Sequence, residues 1–204
     1  MAKLKLWYPI EIRPWTIGQA FGECAPAVCS KYKEMGLLGH NGQDIPCPTG
    51  TPVYAAHDGV VTFSGEDGSA GYGIVIRTNT AFEYGEGECY FKTIYWHLLP
   101  SGLKVQAGQS VRAGDLISLA DNTGFSTGSH LHFGLKPVYK GERDWEWFNA
   151  EQNNGYLGAI DPTPYYNDFY AKDRELVTGL FTKLAELYIR MVVELTKRVT
   201  NKII

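Results

Sequence analysis

Glycine and proline interrupt this chain about every ten residues from Met1 to Pro164, and the runs between them are short and either apolar or alternating. That spacing leaves no room for long helices and is the pattern of an antiparallel β domain. The 23 Gly, 10 Pro and 13 Tyr favour the same conclusion over a helix bundle. Strands are expected at 52–56, 59–64, 73–78, 90–98, 110–111, 116–120 and 130–138, with turn clusters such as "GEDGSAGYG" and "QAGQSVRAGD" between them. After Asp161-Pro162-Thr163-Pro164 the character changes, for between Asp168 and Asn201 there is no Pro and a single Gly, Gly179. Leu176, Leu180, Leu184, Leu187, Met191, Leu195 and Val199 recur every three or four residues, opposite Lys183, Glu186, Arg190, Glu194 and Lys197. This periodicity predicts a long amphipathic helix. The expected architecture is therefore mainly β, an antiparallel β-sheet core over residues 1–165 with a C-terminal helical extension over 166–204. The helix has two leading uses, packing back on the β domain or self-association into a homo-oligomer. Docking on a membrane surface ranks third, because the polar stripe carries both signs of charge.

At 204 residues the chain can bury one good core rather than two. Its net charge of -3 gives no broad basic surface, and no Lys/Arg stripe interleaves with aromatics, so nucleic acid is not an expected partner. No segment approaches the ~20 uninterrupted apolar residues of a transmembrane helix. No secretory signal is read in "MAKLKLWYPIEIRPW", where Pro9, Glu11, Arg13 and Pro14 break any apolar stretch. A protein of this kind acting outside a cytoplasm would be exported by another route or would have lost a leader. The four cysteines, Cys24, Cys29, Cys47 and Cys89, are too few and too irregular for a disulfide framework. Cys24 and Cys29 are close enough to close a small loop, and reduced thiols are the equal alternative.

Four of the five histidines fall in informative places. His130 and His132 lie in "SHLHFGL", where apolar Leu131, Phe133 and Leu135 alternate with them. On a strand both imidazoles project from one face while the apolar side chains are buried behind. A solvated strand face gives the same pattern, so the pair alone is a weak signal. In "GHNGQDIPCP" His40 and Asp44 are four apart, but Gly42, Pro46 and Pro48 argue for a loop entering a strand rather than a helix. Together with His132 they supply two imidazoles and a carboxylate, which matches the three protein ligands of a catalytic zinc with an open fourth position. The same donor types also suit non-haem iron. His97 closes the β-forming run "TIYWHLLPSG", and by itself it reads as an amphipathic residue at a sheet edge. His57, in "AAHDGVV", reads as an exposed turn residue.

The order "HNGQD", "YWHL", "TGSHLHFGL" resembles the LytM/lysostaphin-type zinc endopeptidases of bacterial cell walls and phages, whose motifs run HxxxD, YxHL and TG-x-HLHF. The resemblance also takes in "RPWTIGQAFGE", "GTPVYAAHDGVVTFSG", "GYGIVIRT" and the stretch from Ser101 to Leu135, covering about residues 10–165. It implies a barrel-sandwich-hybrid-like β fold, one zinc ion per chain on His40, Asp44 and His132, and His97 and His130 as a catalytic pair that does not bind the metal. Which of the pair is the general base is left open. The implied activity is hydrolysis of cross-bridge or stem peptides in peptidoglycan, by a secreted or periplasmic enzyme or by a phage lysin or virion component.

The sequence departs from the family pattern at Trp96 (usually small), Ser129 (often Pro), Gly134 (often Glu) and Cys47 (typically Ala). Trp96 adjoins His97 and is expected to reshape the cleft. The insertion "NTAFEYGEGECYFK" is expected to lengthen a hairpin near that edge, where specificity resides in loops. Two other readings fit part of this pattern. A biotinyl- or lipoyl-type carrier shares the half-motifs but needs a lysine at a hairpin tip, which is missing. A catalytically silent relative that binds cell wall or activates another hydrolase typically lacks metal ligands, and here the set is complete.

Overall fold

The alternation in "HLHFGL" becomes the longest strand of the fold. The computed structural model describes residues 2–143 and 146–200, except for the side chains of 175–178 and 194–200. The chain divides into two units, Met1–Ala171 and Lys172–Ile204. In the first, helix α1 (Cys29–Glu34) precedes strands β1 (Gln43–Pro46), β2 (Pro52–Tyr54), β3 (Gly59–Glu66), β4 (Tyr72–Thr78), β5 (Phe82–Tyr84), β6 (Gly87–Trp96), β7 (Ser110–Val111), β8 (Leu116–Leu119), β9 (His130–Lys140) and β10 (Trp147–Asn149). Helix α2 (Ala171–Thr200) follows, where the Pro-free apolar repeat predicted it.

The main sheet is antiparallel, in the order β1-β9-β6-β4-β3-β7, with β10 added to β9 and β5 to β6. A second, two-stranded sheet pairs β2 with β8. The two-residue strand period divides β9 cleanly. Leu131, Phe133 and Leu135 are fully buried with Ile45, Ile74, Ile76, Phe91 and Tyr95, each such side chain contributing about 1.5–3 kcal/mol. The other face carries His130, His132, Gly134 and Lys136, and it is this face that forms a groove.

Four elements lie where no strand or helix was expected. The segment read as a loop entering a strand is itself a strand from Gln43, because β9 offers it a full register, Gln43 opposite Phe133 through Pro46 opposite His130. Gln43 is wholly buried; its Nε2 donates to Thr163 Oγ1 at 2.6 Å and its Oε1 accepts from the Tyr166 hydroxyl at 3.1 Å. Helix α1 forms beside the Cys24–Cys29 disulfide, whereas Cys47 and Cys89 are buried free thiols. Strands β5 and β10 are three residues each, too short for periodicity to show.

The inserted hairpin is not at the groove edge. β5 pairs with Gly87–Cys89, at the start of β6, and the nine steps from there to Trp96 span about 30 Å. Its apolar residues explain the placement, since Phe82 and Tyr84 pack on buried Phe91 and the Tyr84 hydroxyl bonds Glu151. The insertion thus extends the core at the far end of the strand.

Candidate metal centre and groove

Strand pairing brings Asp44 and His132 together. They sit directly opposite each other in the β1–β9 ladder, and His132 Nδ1 lies 3.1 Å from Asp44 Oδ1. His40 arrives from the loop before β1, where its amide donates to Glu23 O and its carbonyl accepts from the Gly22 amide. Its Nε2 lies 2.9 Å from His132 Nδ1 and 3.1 Å from Asp44 Oδ1. Three atoms from three residues make a nearly equilateral triangle. Corners of a tetrahedron with ~2.0 Å bonds are ~3.3 Å apart, so the triangle has the size of a single zinc-type site.

Proton accounting supports a cation there. His40 Nδ1–H donates to Ala20 O at 3.3 Å, which leaves Nε2 as a lone pair aimed at the triangle. Asp44 Oδ1 is an acceptor. A proton on His132 Nδ1 satisfies one of the three short contacts, whereas one cation satisfies all three. Gly42 is part of the same arrangement, because a Cβ there would stand 2.7 Å from His132 Nε2.

His97 and His130 stand beside the triangle. β6 ends at Trp96, and His97 takes a left-handed backbone conformation, φ 62°, which side chains with a Cβ seldom adopt. Its Nδ1–H donates to Thr123 O at 2.6 Å, and its ring centroid is 4.6 Å from that of His130 and 6.0 Å from that of His132. His130 Nδ1–H donates to Gly128 O at 2.7 Å, and its Nε2 lies 3.4 Å from Asp44 Oδ1. Backbone carbonyls thus fix both rings through Nδ1, and Nε2 of His130 is directed at Asp44.

Charge and burial differentiate Asp44, His97, His130 and His132. Burial opposes ionisation of Asp44, but the imidazoles of His130, His132 and His40 gathered on its Oδ1 outweigh it and hold the carboxyl well below the usual carboxylate range. Burial lowers His97 to about 4 and lowers His132 against the pull of Asp44. At His130 burial acts in the same direction, yet the Asp44 carboxylate prevails and raises it.

A cavity of about 340 Å³ opens over the site, with Tyr32, Leu37, Trp96 and Phe125 among its walls. Trp96 lies flat on Gly73, whose missing side chain makes the space, and packs edge-on to Phe63 with ring centroids 5.7 Å apart. The sequence expectation that Trp96 shapes the cleft is met. Tyr32 was not anticipated. Its ring stacks on His40 at 5.8 Å and its hydroxyl donates to Gln19 Oε1 at 3.0 Å. No sequence signal marks it, eight residues before His40 in a six-residue helix.

All five residues singled out from the sequence therefore meet at one cavity: His40, Asp44 and His132 as the triangle, His97 and His130 beside it. His57 does not fit its reading as an exposed turn residue. It is 4% exposed, its Nε2 2.9 Å from Thr93 Oγ1 and its Nδ1 2.9 Å from Asp58 O. Thr93 in turn donates to the buried Tyr95 hydroxyl, so the imidazole is the end of an internal polar chain.

Residues 38–144, about half of the chain, match Peptidase family M23. The chain belongs to this family. The matched M23 segment contains all five site residues. Over 137 residues the chain is 37% identical to the peptidoglycan DD-endopeptidase ShyA of Vibrio cholerae, a stretch that is 67% of this chain and 28% of that protein. The chain thus spans little more than a quarter of that relative's length. Among solved structures, a zinc-containing peptidase from Vibrio cholerae superposes with a TM-score of 0.52 at 28% identity, over 75% of this chain and 41% of that one. The catalytic domain of lysostaphin from Staphylococcus simulans superposes with a TM-score of 0.53 at 24% identity, over 74% and 91% of the two chains, and shares the M23 fold.

Proposed function

We propose that this chain is a zinc-dependent endopeptidase acting on the peptides of bacterial peptidoglycan. The observation that carries the reading is the triangle of His40 Nε2, Asp44 Oδ1 and His132 Nδ1, with sides of 2.9 to 3.1 Å, flanked by two imidazoles that are not part of it. Those three residues would hold one zinc ion. When bound, zinc supplies Lewis acidity that activates water near neutral pH and polarises a peptide carbonyl.

The chain's own groups do the remaining work. Asp44 brings a full negative charge, which offsets part of the cation's charge and orients His132. His40 is fixed in its donor tautomer by the Ala20 carbonyl. His97 and His130 present Nε2 atoms to the space beside the triangle, where one accepts the proton released by water and the other donates to the developing oxyanion. Trp96 and Tyr32 wall the cavity with aromatic surface, and the lower local dielectric beside them strengthens both interactions.

The catalytic unit is assigned to the first unit, which runs past the expected boundary at 165 because the Tyr166 hydroxyl bonds Gln43 and the Tyr170 hydroxyl bonds the Ile12 carbonyl, and the helix that follows is an accessory that mediates self-association. Action in the cell wall or periplasm agrees with the name of the relative ShyA and with the Cys24–Cys29 disulfide, a linkage that persists in oxidising compartments. Among the described residues no helix is long and apolar enough to cross a membrane.

Incubation of the protein with a panel of defined muropeptides, with and without chelator, followed by mass spectrometry, tests the reading. The expected result is cleavage at one class of peptide bond, abolished by chelator and restored by zinc. Absence of chelator-sensitive cleavage across the panel points instead to a protein that binds the wall without cutting it.

A further inference from the structure

The groove floor continues past the metal triangle along β9, and one row of it is entirely cationic. Register places Arg77 of β4 opposite Lys92 of β6, and Lys92 opposite Lys136 of β9. All three lie on the face that carries His132, since His132 and Lys136 are four apart on one strand. Like charges facing each other across strands are destabilising, and here there are two such pairs in line. Among the described residues no carboxylate forms an ion pair with any of the three. Arg77 Nε is buried with no hydrogen-bond partner, while the guanidinium is stacked 3.8 Å over the Trp147 ring. That ring is itself held edge-on by Tyr90 at 5.0 Å. Burial and the neighbouring cation depress both lysines, Lys92 through Arg77 and Lys136 through Lys92.

Folding alone gives no return for this repulsion, whereas an anion laid across the row would remove it. The placement is suited to substrate. Lys136 borders the cavity over the metal triangle, and Arg77 and Lys92 border a second hollow of about 550 Å³, linked to the first by the pairing of Lys92 with Lys136. From His132 to Lys136 the strand advances about 13 Å, the length of about four extended peptide residues.

We propose that Arg77, Lys92 and Lys136 form a carboxylate-binding subsite that seats an acidic position of the substrate peptide about four residues from the bond that is cut. The proposal rests on the peptidase reading and specifies its substrate. Arg77, fixed flat by Trp147, offers the bidentate edge that a carboxylate accepts, and the two lysines supply point charges.

Matched wall peptides that carry either a free carboxylate or a carboxamide at that position test it on the full chain. The acid form is expected to have a kcat/KM about tenfold higher than the amide form, through KM, which corresponds to about 1.4 kcal/mol. In the R77Q/K92Q/K136Q variant the ratio falls to about one; in Lys92→Gln alone it falls part of the way, which guards against a triple variant that folds poorly. A ratio near one in the unaltered protein, or an unchanged ratio in the variants, overturns the proposal. Calorimetric binding of short, uncleavable acid and amide peptides separates this from the peptidase reading. Tighter binding of the acid form, lost in the variants, upholds the subsite even if no peptide is cut, and equal binding sinks it even if peptides are cut. Polyglycerol phosphate is the third probe. If it binds more tightly than the acid peptide and the variants lose that binding, the row belongs to a phosphodiester and the carboxylate proposal fails.

Discussion

Replacing Asp44 by Asn keeps the shape of the donor triangle and removes its carboxylate charge. Zinc affinity is expected to fall at least about 100-fold, measured by competition with a chromophoric chelator, while the folded state persists. By contrast, His97→Ala and His130→Ala should each retain one zinc and lose about 10²–10⁴-fold in kcat; loss of zinc from either would move that residue into the ligand set. His57 makes a prediction of a different kind. Its folded value of about 4 lies below the ordinary 6.5 because burial disfavours the cation. The unfolded chain therefore binds a proton between pH 6.5 and 4 that the folded chain does not, so stability is full above about pH 6.5 and falls as pH drops towards 4. The loss reaches about 3 kcal/mol at most. Urea midpoints at pH 7.5 and 5 should differ less in His57→Gln than in the unaltered protein, and equal differences would contradict the assignment. These residues also mark what one-dimensional reading reaches. His40, Asp44, His97, His130 and His132 were legible because three short motifs in fixed order name them. His57 was misread as exposed because Thr93, which buries its turn, sits on β6, 36 positions away, and Gly42 is meaningful only once His132 occupies the space beside it.

At the scale of elements, periodicity decided what was visible. β9 was legible because Leu131, Phe133 and Leu135 alternate with His130, His132 and Gly134 and so separate core from groove, and α2 because its apolar repeat runs without a breaker. β1 was hidden by Pro46 at its end and Pro48 just beyond it, though its four residues need only the β9 edge to form a strand. α1 was hidden because six residues carry too little pattern and its position depends on a disulfide. The hairpin at Phe82–Tyr84 was assigned to the wrong end of β6, since sequence shows that a loop is long and not which end of a strand it leaves. The helix α2 bears its own test. Leu180, Leu184, Leu187 and Met191 are between 52% and 64% exposed, an apolar stripe of the kind that drives self-association. Light scattering should find a dimer or larger species in the unaltered protein and a monomer in a Leu184→Glu, Met191→Glu variant; a monomer in both removes the oligomer role from the helix.

For the molecule as a whole, the sequence pattern led to the right class, an antiparallel β core followed by a helix, because Gly and Pro spacing excludes other classes before any pairing is known. Strand order was not legible, and it is strand order that places Asp44 across from His132 and sets Lys136 in line with Lys92 and Arg77. The groove thus has two chemically distinct parts on one sheet face, a donor triangle with two further imidazoles beside it and a cationic row about 13 Å away. The central claim is that the first part is a one-zinc catalytic centre. Stepwise addition of zinc to chelator-stripped protein, with cleavage of a wall peptide followed at each step, tests it most directly. Activity should rise linearly and break at one equivalent per chain, and the His132→Ala variant should show no such break; full activity without metal, or an unaltered titration in His132→Ala, would contradict the account.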